Sequence, residues 1–328
     1  MREDNMMRTS RAGMIKNALL ITACGAISFV LGWKSAGVHV LKIQAVGKRT
    51  LYSEDGSGPI NLASHTEDNT PLVKGSAVRV LREEQTSRQW VILASTNLAF
   101  LDFTNNWLES LKRCGITDHV TIIAEDKDVY EKLRNRTDIT LDVRLTSAAR
   151  LSSELLQFGS EDYLKLVNKR PEYIRDFLRQ GIDVIFSDVD TVWLQNPLPY
   201  FTGDYDIHFE KDLYEDATRP DMICAGFAYY SATNATINFI QNWIDFIEKR
   251  PNIPDQQVLN RLMKKPNIKK SLNLNFLDPR RFPNGNDFFN EEWREKHADI
   301  KPVVVHNNWI KGHDVKIERF RNVSMWYL

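Results

Sequence analysis

Two carboxylates one residue apart, Asp188 and Asp190, close the apolar part of GIDVIFSDVDTVWLQNP, residues 181–197. Ile182, Val184, Ile185 and Phe186 have the composition of a short buried strand. A strand that delivers acids at its carboxyl end puts them where open α/β sheets hold ligands. Carboxylates so close repel one another and resist desolvation, so a positive group must neutralise them. Oxygen ligands suit Mg²⁺ or Mn²⁺, and such an ion bridges protein to a diphosphate. An Asp-x-Asp pair also opens ordinary loops, but Val189, Val192, Trp193 and Leu194 frame this one and fit a solvated turn poorly.

A third ligand is available far along the chain. His306 ends the apolar run that begins at Pro302, and Gly312 and Lys316 follow it. An imidazole at a strand end, a glycine where backbone passes close to a ligand and a lysine for phosphate form a coherent set with the two acids. Taken singly, His306 reads as a structural histidine and Lys316 as a surface lysine; His313 is a weaker alternative ligand. Asp255 and Gln256 follow Pro254 at a predicted helix start, where capping is the plain role of Asp255. Gly226 lies inside an apolar strand pattern, another point of close approach. Lys169 and Arg170 precede the acidic strand and would reach phosphate if they lie at the sheet's carboxyl edge.

The elements that must position these groups alternate between strand and helix. Trp90 to Ala94 reads as a first strand with Ser95, Thr96 and Asn97 as its polar exit, and Leu98 to Cys114 as an amphipathic helix. Val120 to Ala124 and Ile139 to Val143 read as strands, Tyr130 to Arg134 as a short helix, and Tyr163 to Gln180 as helical with a division at Pro171. Tyr205 to Phe209 reads as an outer strand, Met222 to Tyr230 as another, and Ala235 to Arg250 as a helix. The stretch from Leu274 to Phe289 adds a strand and a turn-rich acceptor side, with Phe282, Phe288 and Phe289 as packing or sugar-stacking groups. The order predicts an α/β fold with a mostly parallel, Rossmann-like sheet flanked by helices.

Lys plus Arg and Asp plus Glu are equal at 43 each, so no net field favours nucleic acid as partner. Cys114 and Cys224 outside the N-terminal segment are either bridged or free, and match no zinc spacing. Residues 1–16 are polar with a basic flank, and residues 17–33, NALLITACGAISFVLGW, are uncharged and mostly apolar. This reads as a cytoplasmic tail and a short signal-anchor transmembrane helix, of a length suited to thin membranes of the early secretory pathway. A cleaved signal peptide is the rival, but Trp33 and Lys34 stand where small cleavage-site residues would. Residues 34–87 read as a flexible stem and 88–328 as a lumenal catalytic domain. The sequons at Asn135, Asn234 and Asn322 agree with that orientation.

The motifs SDVDTVWLQNP (187–197), DQQVLN (255–260), FPNG (282–285) and HNNWIKGHDVKIERF (306–320) resemble the nucleotide-diphospho-sugar transferase domain of glycosyltransferase family seventy-seven, over roughly Trp90 to Arg321. That family includes plant UDP-xylose:fucose α-1,3-xylosyltransferases and extensin arabinosyltransferases. The resemblance implies a GT-A fold, a UDP-sugar donor, Mn²⁺ or Mg²⁺, retention of anomeric configuration and a type II Golgi membrane protein that glycosylates a glycoprotein, glycolipid or polysaccharide. It implies Asp188, Asp190 and His306 as metal ligands, with Asp188 shared with the donor. Gly312 with Lys316 or Lys311 would contact the diphosphate, and Thr96, Asn97, Arg170 and Gly226 would line the donor site. Gln256 would lie beneath the anomeric carbon, with Asp255 as first candidate for a covalent intermediate. A membrane-tethered carbohydrate-binding protein and a metal-dependent nucleotide-sugar hydrolase are the alternatives.

Overall fold

In the computed structural model, residues 88–146, 154–157, 159–212 and 222–328 are described; the predicted anchor and stem lie outside them. No helix among the described residues is long and apolar enough to cross a membrane.

The strands are β1 (Trp90–Thr96), β2 (Val120–Ala124), β3 (Leu141–Leu145), β4 (Asp183–Ser187), β5 (Thr191–Trp193), β6 (Ile207–Lys211), β7 (Ile223–Tyr230), β8 (Leu274–Phe276) and β9 (Val304–His306). The helices are α1 (Leu101–Arg113), α2 (Lys127–Leu133), α3 (Glu161–Val167), α4 (Arg170–Leu178), α5 (Asn234–Glu248), α6 (Asp255–Met263), α7 (Pro266–Lys270), α8 (Gly285–Phe288), α9 (Glu291–Lys296) and α10 (His313–Arg321). Seven strands form one sheet in the order β3-β2-β1-β4-β7-β6-β8, and β5 pairs with β9 in a separate ribbon.

The first half of the sheet is parallel, as strand–helix alternation predicts; β7 then runs antiparallel to both β4 and β6, and β8 rejoins parallel to β6. The segment read as an outer strand, β6, lies inside the sheet, and β8 covers its edge. The predicted Tyr163–Gln180 helix is two helices that part at Asn168 and Lys169, with Pro171 in the first turn of the second. That position suits proline because its missing N–H has no intrahelical partner there.

Strand alternation sorts the core onto two faces. Ile92, Ile122, Ile185 and Phe227 point to the side where Phe103, Trp107 and Leu111 of α1 pack with Phe282, Phe288 and Phe320. Val91, Leu93, Val184 and Phe186 point to the other, against Ile174 and Phe177 of α4, Trp243 and Ile244 of α5 and Val258 and Leu259 of α6. Trp107 and Trp193 on the first face and Trp243 on the second are fully buried, so large rings anchor both faces. Cys114 and Cys224 are free thiols, not a bridge.

His208 of β6 is enclosed by Phe201, Tyr205 and Tyr229, with Asn275 Nδ2 2.9 Å from its Nδ1. Burial pulls its pKa from 6.5 down to about 4, so the fold favours the neutral ring. Its contribution is fully present above the unfolded pKa and disappears as pH falls from 6.5 toward 4. Urea unfolding across that window is expected to show a loss on the order of 1–3 kcal/mol that His208→Gln lacks.

Candidate active site

The acids sit at the carboxyl end of β4. The Asp188 N–H donates to Gly226 O on β7 at 2.7 Å, so the chain is still tied to the sheet when the first acid appears. It then turns, and Thr191 of β5 pairs with His306 of β9. This register brings a histidine from the far end of the domain beside Asp190: Nε2 is 3.3 Å from Asp190 Oδ1 and 3.8 Å from Asp188 Oδ2. The Asn307 N–H donates to Asp190 O at 2.9 Å and fixes the turn.

The neighbours of each acid are cationic. Arg170 donates through Nη2 to Asp188 at 3.0 Å and through Nη1 to Asp255 at 2.7 Å, in a region where its side chain is only 10% exposed. Burial disfavours the guanidinium, but Asp188 and Asp255 outweigh it and hold the charge. Lys316 of α10 donates to the second oxygen of Asp190. Burial alone would lift the Asp190 pKa, yet Lys316 and His306 hold it well below the carboxylate range. Burial likewise opposes the imidazolium of His306, but Glu210, Cys224 and Asp190 raise its pKa well above 6.5.

Glu210 is the group that sequence reading missed. Pairing of β6 with β7 shifts register between Phe209 and Lys211, an irregularity that re-aims a side chain. Glu210 is buried there with Oε2 3.0 Å from His306 Nδ1, and Cys224 Sγ lies 3.4 Å from the same nitrogen. A carboxylate on Nδ1 orients the ring so that Nε2 faces Asp188 and Asp190. The only signal in the sequence was an acid inside the apolar strand IHFEK.

Ligand atoms of Asp188, Asp190 and His306 lie within 4.8 Å of one another, and two carboxylates with an imidazole form a donor set suited to a divalent cation. Gly226 keeps the space clear: a β-carbon there would collide with the Asp188 carboxylate and the His306 ring.

Gln256 joins the cluster from α6. Asn260, one turn later, bonds both backbone groups of Ile223 and docks the helix on β7. Gln256 Oε1 then accepts from the Ala225 N–H at 3.0 Å, and its Nε2 donates to Asp212 at 3.0 Å. Asp255 is no helix cap; its carboxylate faces Arg170 with 3% exposure.

Thr96 and Asn97 stand at the end of β1. Both are buried, Thr96 against Thr104 at 2.7 Å and Asn97 against Glu154 O at 3.1 Å. Gly312, at φ 102°, precedes α10 and lets the chain turn so that Lys316 points back to Asp190. Lys311 is exposed, and Lys169 pairs with Glu172 instead of entering the site. His313 is not a ligand of this cluster: its Nε2 faces Asp102 of α1 at 3.0 Å. Phe282 and Phe288 are core residues, whereas Phe289 is half-buried.

A strand-end acid pair, a remote histidine and the basic groups around them have the chemistry to hold a divalent cation and a polyanion. The sequence profile of the nucleotide-diphospho-sugar transferases matches residues 115–320, and the chain belongs to that family. Among its relatives, UDP-D-xylose:L-fucose alpha-1,3-D-xylosyltransferase of Arabidopsis thaliana is 30% identical over 256 residues, covering 72% of this chain and 69% of that protein. The UDP-galactose:fucoside alpha-3-galactosyltransferase of Dictyostelium discoideum is 27% identical, covering 72% of this chain and 43% of that one. Among solved structures, the glycosyltransferase GlyE of Streptococcus pneumoniae is similar with a TM-score of 0.49 at 16% identity, covering 73% of this chain and 61% of that one.

Arg170 bridges the buried Asp255 and the partly exposed Asp188. Arg170→Met is therefore expected to destabilise the domain by about 3–5 kcal/mol in urea denaturation, because it leaves the buried Asp255 without its ion-pair partner. Arg170→Met with Asp255→Asn recovers part of that loss, whereas additive effects in the double variant would show that the pair is not coupled.

Proposed function

We propose that this protein is a metal-dependent, retaining glycosyltransferase of GT-A type that moves a sugar, xylose first among candidates, from a UDP-sugar to a hydroxyl of a fucoside-bearing glycan. The observation that carries the reading is the meeting of Asp188, Asp190 and His306 with Arg170 and Lys316 at one edge of the sheet. Family membership supports the donor class. The names of two relatives support the acceptor class: both name a fucose or fucoside, and they differ between xylose and galactose as donor.

Asp188, Asp190 and His306 would hold Mn²⁺ or Mg²⁺. When bound, such an ion supplies positive charge that stabilises a departing diphosphate. The protein adds its own: Lys316 sits on Asp190, where the donor's diphosphate would compete for its ammonium, and Arg170 presents a fixed guanidinium beside Asp188. Gly226 and Gly312 would leave room for close approach, and Thr96 and Asn97 at the end of β1 would contribute to the uridine-binding wall. In transfer, the bond from the anomeric carbon to the diphosphate oxygen breaks as the acceptor oxygen attacks the same face. The acceptor's proton passes to the departing oxygen. One lone pair of Gln256 Oε1 is taken by Ala225; the other remains to face developing positive charge at the anomeric carbon. Asp255, locked to Arg170, serves as an electrostatic support in this reading.

The same reading places residues 17–33 in the Golgi membrane and residues 88–328 in its lumen. All three sequon asparagines, Asn135, Asn234 and Asn322, are exposed, which supports that placement.

Asp190→Asn and His306→Ala are each expected to weaken Mn²⁺ binding more than about tenfold by calorimetry and to lower UDP-xylose turnover in step. Near-wild-type values in both would sink the site. Gln256→Ala is expected to lower kcat about 10²-fold while UDP affinity holds. NMR of the first-formed glycoside should show the donor's anomeric configuration; an inverted product overturns the same-face mechanism.

A further inference from the structure

A second concavity, about 550 Å³ in volume, lies between α8, α9 and the loop before α10. That volume is within the range of small-ligand pockets, about 300–1,000 Å³. Its wall includes Trp309, 48% exposed and held at φ 60°, a conformation few non-glycine residues adopt. A large exposed ring on strained backbone needs a reason, and its anchoring gives one. Trp309 Nε1 donates to both Asp212 O and Asp212 Oδ1 at 3.1 Å, while the other oxygen of that carboxylate takes the amide of Gln256. Asp212 thus links the indole directly to the residue placed beneath the anomeric carbon.

Phe289 lines the same concavity with Arg319 stacked on its ring at 4.0 Å. Arg319 also donates to Asn308 O at 3.1 Å and to Gly285 O, which braces the wall on both sides of the loop. Glu291 is exposed at the rim, and Arg294 is oriented by a bond from Nη1 to Phe288 O at 3.0 Å. A fixed aromatic plate with a carboxylate and a guanidinium beside it suits a neutral sugar ring: the apolar C–H face meets the indole, and hydroxyls meet the polar rim. A charged or wholly apolar ligand would leave one of these features unmatched.

We infer that this concavity seats the acceptor saccharide, a neutral pyranoside of fucoside type, with its ring on Trp309 and its hydroxyls on Glu291 and Arg294. The inference rests on the glycosyltransferase reading above and names its second substrate site. The test uses the full chain, UDP-xylose and UDP-galactose as donors, and methyl α-L-fucopyranoside as acceptor probe. Trp309→Ala and Glu291→Ala should each raise KM for the fucoside at least about tenfold while Kd for UDP stays within about twofold, and Trp309→Phe should recover most of the loss. An unaltered fucoside KM in both alanine variants overturns the assignment and leaves the donor site standing. A wild-type chain that hydrolyses donor but shows no saturable response to the fucoside overturns it as well. A wild-type chain with no affinity for UDP overturns the donor reading itself, and this inference falls with it.

Discussion

Charge compensation in a dry place is the constraint on which this centre depends. Four ionisable side chains with little solvent, Asp190, Asp255, Glu210 and His306, would be prohibitively costly if isolated, and the partly exposed Asp188 adds a further charge beside them. Each is instead engaged: Arg170 spans Asp188 and Asp255, Lys316 and His306 hold Asp190, and Glu210 holds the back of the imidazole. The arrangement is a connected network, so its members are positioned by one another as much as by backbone. Such a network is rigid where complete and intolerant of a missing partner.

The sheet supplies the geometry for this. β4 is the strand where pairing changes from parallel, toward β1, to antiparallel, toward β7. Loops diverge at such a switch and open a crevice at the strand ends. β7 fills one wall with Gly226, and the β5–β9 ribbon folds the opposite wall over it. The groups around the acids therefore come from separate stretches of chain, with Arg170, Gly226, His306 and Lys316 each brought to the same edge by a different element.

Much of this was legible in the residues. Asp188, Asp190 and His306 could be grouped because each ends an apolar run, and a strand end is a position that sequence marks clearly. Arg170 could be placed before the acidic strand, though its role as a clamp on two acids could not be read, since nothing in local spacing joins it to Asp255. Glu210 was invisible for a different reason: a register irregularity turns it inward, and irregularities leave no periodic trace. β6 was read as an outer strand although a strand was expected from Leu274 onward, because spacing alone does not tell that the three-residue β8 pairs with it. His313 was a plausible ligand by type, but helix geometry carries it away from the acids and onto Asp102 of α1.

The ribbon of β5 and β9 also bears on how the chain matures. Lys316 meets Asp190 across 126 positions of sequence, and β9 follows every other described strand in the chain. Contacts of such long range form late, after local helices and neighbouring strands have condensed. A nascent chain thus carries its acid pair through the synthesis of 126 further residues before the ammonium of Lys316 is available. Neutralisation of the acid pair is in this way coupled to synthesis of the His306–Lys316 segment, and a product terminated before that segment would hold the sheet without the cluster.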